Sequence, residues 1–213
     1  MERRLSLPNL ITLARIVACP VIAFLALSPG LSSRLAAFVL FIVAALSDLY
    51  DGYLARRYGW ITDVGKLLDP LADKLLLAAT FIPIWLISIR PDGMGNLPFI
   101  GPLPLWVLFV IFGREIFVTL FRQWAVRRGE VLAAGRWGKY KALSQFLFAG
   151  GALLWYPVQG WAHQAGWIGG RGWRIWYLVH GSWVAVTLVA AILLTIGSMV
   201  AYLRAYRRSG ELG

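Results

Sequence analysis

The chain has 213 residues, of which 59% are hydrophobic and only 15% are charged, and its formal net charge is +11. This composition excludes an ordinary soluble domain, because so few polar side chains would not cover a surface that faces water. It does not indicate a nucleic-acid-binding protein either, because the basic residues flank long apolar runs instead of lining one polar face. The single cysteine, Cys19, excludes an internal disulfide. We therefore expect an integral membrane protein.

Six apolar stretches are long enough to form transmembrane helices. In chain order they cover Pro8–Ser28, Arg34–Arg57, Gly65–Ile89, Leu103–Arg127, Lys139–Tyr156 and Trp176–Arg204. The first is not followed by a small-residue cleavage site at a suitable distance, so we expect a retained helix and not a signal peptide. The sequence thus predicts an all-α integral membrane protein whose single domain, residues 1–213, has six transmembrane helices.

The basic residues are distributed unevenly among the segments that connect these stretches. If the N-terminus is cytoplasmic, four basic residues lie on the outer side: Arg34, Arg90, Arg171 and Arg174. Thirteen then lie on the inner side: Arg3, Arg4, Arg56, Arg57, Lys66, Arg127, Arg128, Arg136, Lys139, Lys141, Arg204, Arg207 and Arg208. Because cytoplasmic loops carry the excess of Lys and Arg, we expect both termini in the cytoplasm and a multi-pass protein of the cell's inner membrane.

Five of the ten acidic residues lie between Asp48 and Asp73, in the second stretch, the third stretch and the link that joins them. Asp48 and Asp51 are three residues apart near the inner end of the second stretch, and Asp69 and Asp73 are four apart near the inner end of the third. Such spacings place each pair on one face of its helix. Because the connecting link is short, we expect the two pairs to face each other at the cytoplasmic side.

Four carboxylates so close together repel one another unless cations lie among them, and ionisable residues in a membrane protein are usually functional. Mg²⁺ and Mn²⁺ prefer carboxylate oxygens, and no His or Cys nearby indicates zinc. We therefore expect bound Mg²⁺ or Mn²⁺, and two such ions suit phosphoryl chemistry. The plainer alternative is that the acids only form surface ion pairs with Arg56, Arg57, Lys66 and Lys74. That alternative explains one acid better than four at helical spacing.

Gly52, Ala55 and Arg56 share the helical face of Asp48 and Asp51. Small residues allow either a neighbouring helix or a ligand to approach the backbone closely. Beside carboxylates and an arginine whose planar fork suits a phosphate, we favour the ligand.

These residues form a recognisable pattern. It runs Asp48-x-x-Asp51-Gly52-x-x-Ala55-Arg56, then eight residues, then Gly65-x-x-x-Asp69-x-x-x-Asp73. The pattern resembles the signature of the CDP-alcohol phosphatidyltransferase family, with all eight defining positions present at the family's spacing. The six-span layout agrees with that family, so the resemblance covers nearly the whole chain.

The resemblance implies a role for each matching residue. Asp48, Asp51 and Asp69 would hold metal ions, and Asp73 would hold metal and also accept the proton of the acceptor alcohol. Residues implied to bind the CDP-linked lipid are Asn9, Thr12, Gly52, Ala55, Arg56, Thr62 and Gly65, although Asn and Thr also serve as plain helix caps. The alcohol would attack the lipid-side phosphorus directly and release CMP, without a covalent enzyme intermediate. The family also implies a homodimer.

The signature does not identify the acceptor, and charges elsewhere suggest one. Arg114 and Glu115 lie in the middle of the fourth stretch, where charges are costly. They either neutralise each other or line a polar cavity in which Arg114 holds an anionic substrate. Lys139 and Lys141 are either ordinary cytoplasmic flanking residues or part of the same phosphate pocket.

Further stretches resemble the family members that use glycerol 3-phosphate: Pro8–Arg15, Asp69–Lys74, Arg114–Glu115 with Arg122, and Trp137–Lys141. The expected substrates are therefore CDP-diacylglycerol and glycerol 3-phosphate. Inositol phosphate, serine and phosphatidylglycerol remain alternative acceptors.

Two other protein classes compete with an enzyme. A transporter or channel would place its charged residues near the membrane midplane, whereas these acids cluster towards one side. A scaffold without activity would not need all eight signature positions. Neither class predicts CMP release that depends on a metal ion.

Overall fold

A computed structural model describes residues 7–58, 63–128 and 136–210. Within these ranges the fold is all-helical and contains no β-strand, so the predicted all-α architecture is confirmed. Six helices run along the chain: α1 Leu7–Leu27, α2 Leu31–Tyr58, α3 Asp63–Ser88, α4 Leu105–Arg127, α5 Arg136–Gln164 and α6 Arg171–Gly210. Each predicted apolar stretch corresponds to one of them.

Four helices contain a stretch that is long and apolar enough to cross a membrane: Pro8–Leu27, Leu31–Asp48, Leu67–Ser88 and Arg171–Arg204. The helices α4 and α5 are outside this group. Arg114, Glu115 and Arg122 interrupt the apolar sequence of α4, and α5 combines basic residues at its start with glycines and glutamines along its length.

The largest difference from the sequence prediction concerns α5 and α6. We expected the fifth stretch to end at Tyr156, before Pro157, and the sixth to begin at Trp176. Instead α5 continues through Pro157 to Gln164, and α6 already begins at Arg171. A proline removes one backbone hydrogen bond from a helix, which kinks it without necessarily ending it.

The helices pack so that α1 contacts both α2 and α3, α5 contacts both α2 and α6, and α4 lies mainly against α6. The core is formed by large buried side chains such as Phe41, Phe81 and Phe148. Equally large apolar side chains face outwards, with Phe24 71% exposed and Leu67 78% exposed. An apolar outer surface of this extent is expected where lipid tails, and not water, surround the helices.

The bundle has two distinct ends. At one end, here called the aromatic end, α1, α3 and α5 finish and α2, α4 and α6 begin. Aromatic side chains pack against one another at this end. The ring of His180 is nearly parallel to those of Trp155 and Trp176, and its centroid lies 6.2 Å from the first and 4.4 Å from the second. The opposite end, here called the charged end, contains Asp48, Asp69 and Asp73 and basic residues such as Arg127, Lys139 and Arg204.

Candidate active site

The first half of α1 provides a buried polar face. Asn9, Thr12 and Arg15 are spaced three residues apart, which places them on the same side of the helix, and all three are buried. Leu13 and Val17 are exposed on other sides of the helix. Because α1 packs between α2 and α3, its polar face is turned towards the helices that carry the aspartates.

Two residues of this face contact the aspartates directly. Nη1 of Arg15 forms an ion pair with Oδ1 of Asp48 on α2 and lies 3.2 Å from Oδ1 of Asp73 on α3. Oγ1 of Thr12 lies 3.0 Å from Oδ1 of Asp69 and also 3.0 Å from the backbone oxygen of Pro8, so its proton can be donated to either. The structure thus brings three of the four predicted metal-binding aspartates together around α1.

Part of the predicted site lies outside the described residues. Asp51, Gly52, Ala55 and Arg56 belong to α2, but only their backbone is described, and Thr62 lies in the undescribed segment 59–62. Gly65 is buried in the first turns of α3. Among the side chains that are described, which do not include that of Asp51, no three acidic, His or Cys groups lie close enough together to hold one metal ion.

Asp48, Asp69 and Asp73 form a group here called the acidic cluster, which has a buried side and an exposed side. The side chain of Arg15 is fully buried, whereas that of Asp48 is 28% exposed and that of Asp73 is 53% exposed. A buried guanidinium is costly unless it is paired, which explains why it lies between two carboxylates. The exposed side presents carboxylate oxygens, the ligands that Mg²⁺ and Mn²⁺ prefer, so the residues present fit a divalent metal ion.

A second charged group, the basic cluster, joins α4, α5 and α6. Its centre is Glu115, whose Oε1 accepts a hydrogen bond from Nζ of Lys141 and lies 3.3 Å from Nη1 of Arg114. Nε of Arg114 donates a hydrogen bond to Oγ of Ser198 on α6, at 3.1 Å. Two cations share one carboxylate, so the basic cluster has a net positive charge.

The two groups are neighbours, because Lys141 is close enough to Asp73 for their charges to interact. Of the three residues predicted to bind the acceptor phosphate, two lie in the basic cluster and one does not. Arg114 and Lys141 meet at Glu115, whereas the side chain of Lys139 is exposed at the start of α5. The structure does not bring Lys139 into the basic cluster.

Comparison with known proteins agrees with this geometry. The family model for CDP-alcohol phosphatidyltransferase matches residues 5–172. The chain belongs to this family. CDP-alcohol phosphatidyltransferases generally depend on a divalent metal ion, which agrees with the carboxylates found here.

Individual relatives point to one branch of the CDP-alcohol phosphatidyltransferase family. A probable phosphatidylglycerophosphate synthase of Mycobacterium tuberculosis is 35% identical over 212 residues, covering 97% of this chain and 85% of the relative. The CDP-diacylglycerol–glycerol-3-phosphate 3-phosphatidyltransferase of Bacillus subtilis is 37% identical over 161 residues, covering 70% and 77%. Its Escherichia coli K12 counterpart is 30% identical over 210 residues, covering 95% of each chain.

Sequence reasoning assigned no contact in the site to three side chains that the structure places there. Arg15 was noticed only within a resembling stretch, although the regular spacing of Asn9, Thr12 and Arg15 in an apolar helix could have identified a buried polar face. For Glu115 the sequence leaves two roles open, neutralising Arg114 or lining a polar cavity, and its contact with Lys141 depends on how α4 and α5 pack. Ser198 gave no signal, since isolated serines are common in membrane helices, and it lies beyond the part of the chain that the family model matches.

Proposed function

We propose that this protein transfers the phosphatidyl group of CDP-diacylglycerol to glycerol 3-phosphate, which forms phosphatidylglycerophosphate and releases CMP. The names of the relatives support the reaction. The observation that carries the choice of acceptor is the basic cluster, in which Arg114 and Lys141 share the single carboxylate of Glu115 next to Asp73. A site with surplus positive charge and a guanidinium fork suits the phosphate of the acceptor.

The metal ions belong to the acidic cluster. Asp48, Asp51, Asp69 and Asp73 would hold two Mg²⁺ or Mn²⁺ ions, which when bound supply charge neutralisation of the diphosphate. The protein's own contacts prepare the carboxylates for this task. Arg15 fixes Asp48 and Asp73, and Thr12 fixes Asp69 through its hydroxyl group.

Asp73 is the proposed general base. Its side chain is the more exposed of the two that contact Arg15, and it lies within electrostatic range of Lys141 in the basic cluster that would hold the acceptor. Asp73 would accept the proton of the acceptor hydroxyl as the hydroxyl oxygen attacks the lipid-side phosphorus. The bond from that phosphorus to the oxygen leading to CMP breaks, and CMP leaves with the electron pair.

The remaining matched residues would bind the donor. The residues proposed to hold the CDP part are Asn9, Thr12, Gly52, Ala55, Arg56, Thr62 and Gly65. Their support is the family signature and, for Asn9 and Thr12, burial on the face of α1 that is turned towards the aspartates.

We also infer how the protein sits in the membrane. All six helices would span the inner membrane, with both termini and the charged end in the cytoplasm and with homodimers as the working state. Supporting observations are the four helices apolar enough to span and the excess of basic residues at the charged end. Acceptor and CMP would then exchange with the cytoplasm directly.

The test is CMP release by the purified protein in detergent, supplied with CDP-diacylglycerol and Mg²⁺. Glycerol 3-phosphate is compared with glycerol, a matched acceptor that lacks the phosphate, and with inositol phosphate, serine and phosphatidylglycerol. We expect release with glycerol 3-phosphate alone. Release with a different acceptor would refute the proposed acceptor but keep the reaction class. No release with any acceptor, in Mg²⁺ or Mn²⁺, would refute the enzyme and favour a transporter.

A further inference from the structure

We propose that Arg15 makes metal binding at the acidic cluster depend on the diphosphate of the CDP-linked lipid. This proposal rests on the proposed metal-binding role of the aspartates. It adds that the metal ion binds tightly only together with the diphosphate. Arg15 is a resident cation that partly neutralises the carboxylates before any metal ion arrives. The metal ion then binds well only when the diphosphate brings further negative charge.

The positive charge of Arg15 is fixed. Its side chain is fully buried, in a helix packed against both α2 and α3. A guanidinium keeps its proton at any physiological pH, so it cannot become neutral when a metal ion approaches. It cannot move into water without rearranging the packing of α1.

Arg15 would also compete with a metal ion for the same carboxylate oxygens. One nitrogen, Nη1, contacts a carboxylate oxygen of both Asp48 and Asp73. A divalent ion held by the same two carboxylates would lie within a few ångströms of a fixed positive charge. The repulsion between the two positive charges lowers the affinity of the empty site for metal.

The donor lipid would offset the loss of metal affinity that Arg15 causes. Its diphosphate supplies negative charge and oxygen ligands on the exposed side of the cluster, where Asp73 is half exposed. Metal ion and diphosphate therefore bind with positive cooperativity, and each raises the affinity of the other by the same factor. A site built this way avoids holding metal ions that have no substrate to act on.

A purely structural role for Arg15 makes a different prediction. If Arg15 only ties α1 to α2 and α3, its removal lowers the stability of the protein and leaves the coupling between metal and diphosphate unchanged. The affinity for metal without diphosphate separates the two roles, because a structural tie gives no reason for it to increase.

The experiment measures Mn²⁺ binding to the full chain in detergent by electron paramagnetic resonance, with and without CDP as a soluble diphosphate. The variants are Arg15→Gln, which removes the charge, and Arg15→Lys, which keeps it. Lys74→Gln is the matched control, because Lys74 is a cation one residue from Asp73 whose ammonium contacts the backbone oxygen of Pro70.

In the unmodified protein we expect CDP to tighten Mn²⁺ binding by about tenfold. Arg15→Gln should bind Mn²⁺ about tenfold more tightly than the unmodified protein when CDP is absent, and so reach without CDP the affinity that the unmodified protein has only with CDP. Arg15→Lys and Lys74→Gln should keep the dependence on CDP.

Equal Mn²⁺ affinity with and without CDP in the unmodified protein would overturn the inference, even if Arg15→Gln does not fold. So would Arg15→Gln with unchanged or weaker Mn²⁺ binding in the absence of CDP. If no Mn²⁺ binds to the unmodified protein under either condition, the proposed metal site itself is wrong, and the inference is overturned with it.

Discussion

At the aromatic end, α5 and α6 are joined by stacked and tilted rings, and buried side chains bond to backbone atoms of neighbouring segments. Trp155 donates a hydrogen bond to the backbone oxygen of Asn96, and Tyr156 donates one to that of Ile84. At the charged end, the contacts between helices include ion pairs and hydrogen bonds among side chains, such as those of Arg15 and of Glu115. The same six helices therefore meet through two kinds of chemistry.

The two ends of the bundle are expected to contribute differently to stability and to function. Burying large aromatic side chains is a major source of stability, whereas buried ion pairs often stabilise a fold no more than apolar residues of the same size would. The charged groups are therefore better explained by catalysis than by folding. We expect substitutions at the charged end to reduce turnover in a folded protein, and substitutions at the aromatic end to reduce stability with little effect on the chemistry.

The largest expected effect on turnover is that of Asp73→Asn. The change keeps the size of the side chain but removes the proposed base, so CMP release should fall by about 10²–10⁴-fold. Thermal unfolding in detergent should show a folded protein, since the residue is half exposed. Turnover close to that of the unmodified protein would remove Asp73 as the base and weaken the separation between the two ends.

The matching change at the aromatic end is Trp155→Ala. Trp155 is 1% exposed, so its truncation leaves a cavity and should lower the free energy of unfolding by about 3–5 kcal/mol. CMP release per folded molecule should stay near normal. Trp106→Ala is the control, because Trp106 lies near the same end but is 54% exposed. If the two variants are equally stable, the aromatic stack does not hold this end together.

Within the charged end, Arg114→Ala should affect the two substrates differently. Loss of a charge-assisted contact with the acceptor phosphate costs about 1.5–3 kcal/mol, which would raise KM for glycerol 3-phosphate by roughly 10–150-fold. KM for CDP-diacylglycerol should change little. Arg122→Ala is a matched control on the same helix, with its guanidinium over the ring of Tyr202. Equal rises in both KM values for Arg114→Ala would refute an acceptor-specific role.

Most of the fold could be predicted from the sequence, because long apolar stretches separated by charged or Pro- and Gly-containing segments indicate membrane helices directly. The ends of α5 and α6 could not, since Pro157 is compatible with a kinked helix as well as with a helix end. The proximity of Asp48 to Asp73 could be predicted, because helical spacing and a short link between α2 and α3 bring the two helix faces together. Partners such as Arg15 and Lys141 depend on the packing between helices, which periodicity along one helix does not encode.

The smallest expected effect concerns Ser198, which α6 contributes to the charged end through its hydrogen bond to Nε of Arg114. Ser198→Ala leaves that guanidinium less firmly oriented. Because the hydrogen bond acts on the acceptor only through Arg114, we expect an effect in the range of an ordinary net hydrogen bond, about 0.5–1.5 kcal/mol. We therefore expect KM for glycerol 3-phosphate to rise by roughly 2–12-fold, with kcat and KM for CDP-diacylglycerol nearly unchanged.

The control for Ser198 is Ser198→Thr, which keeps the hydroxyl and should restore KM. If Ser198→Ala and Ser198→Thr raise KM equally, packing at this position matters and the hydrogen bond does not. If the alanine variant lowers kcat and leaves both KM values unchanged, α6 influences the chemical step instead of acceptor binding. The selective rise followed by rescue would show that the acceptor site extends into a helix beyond the segment that defines the family.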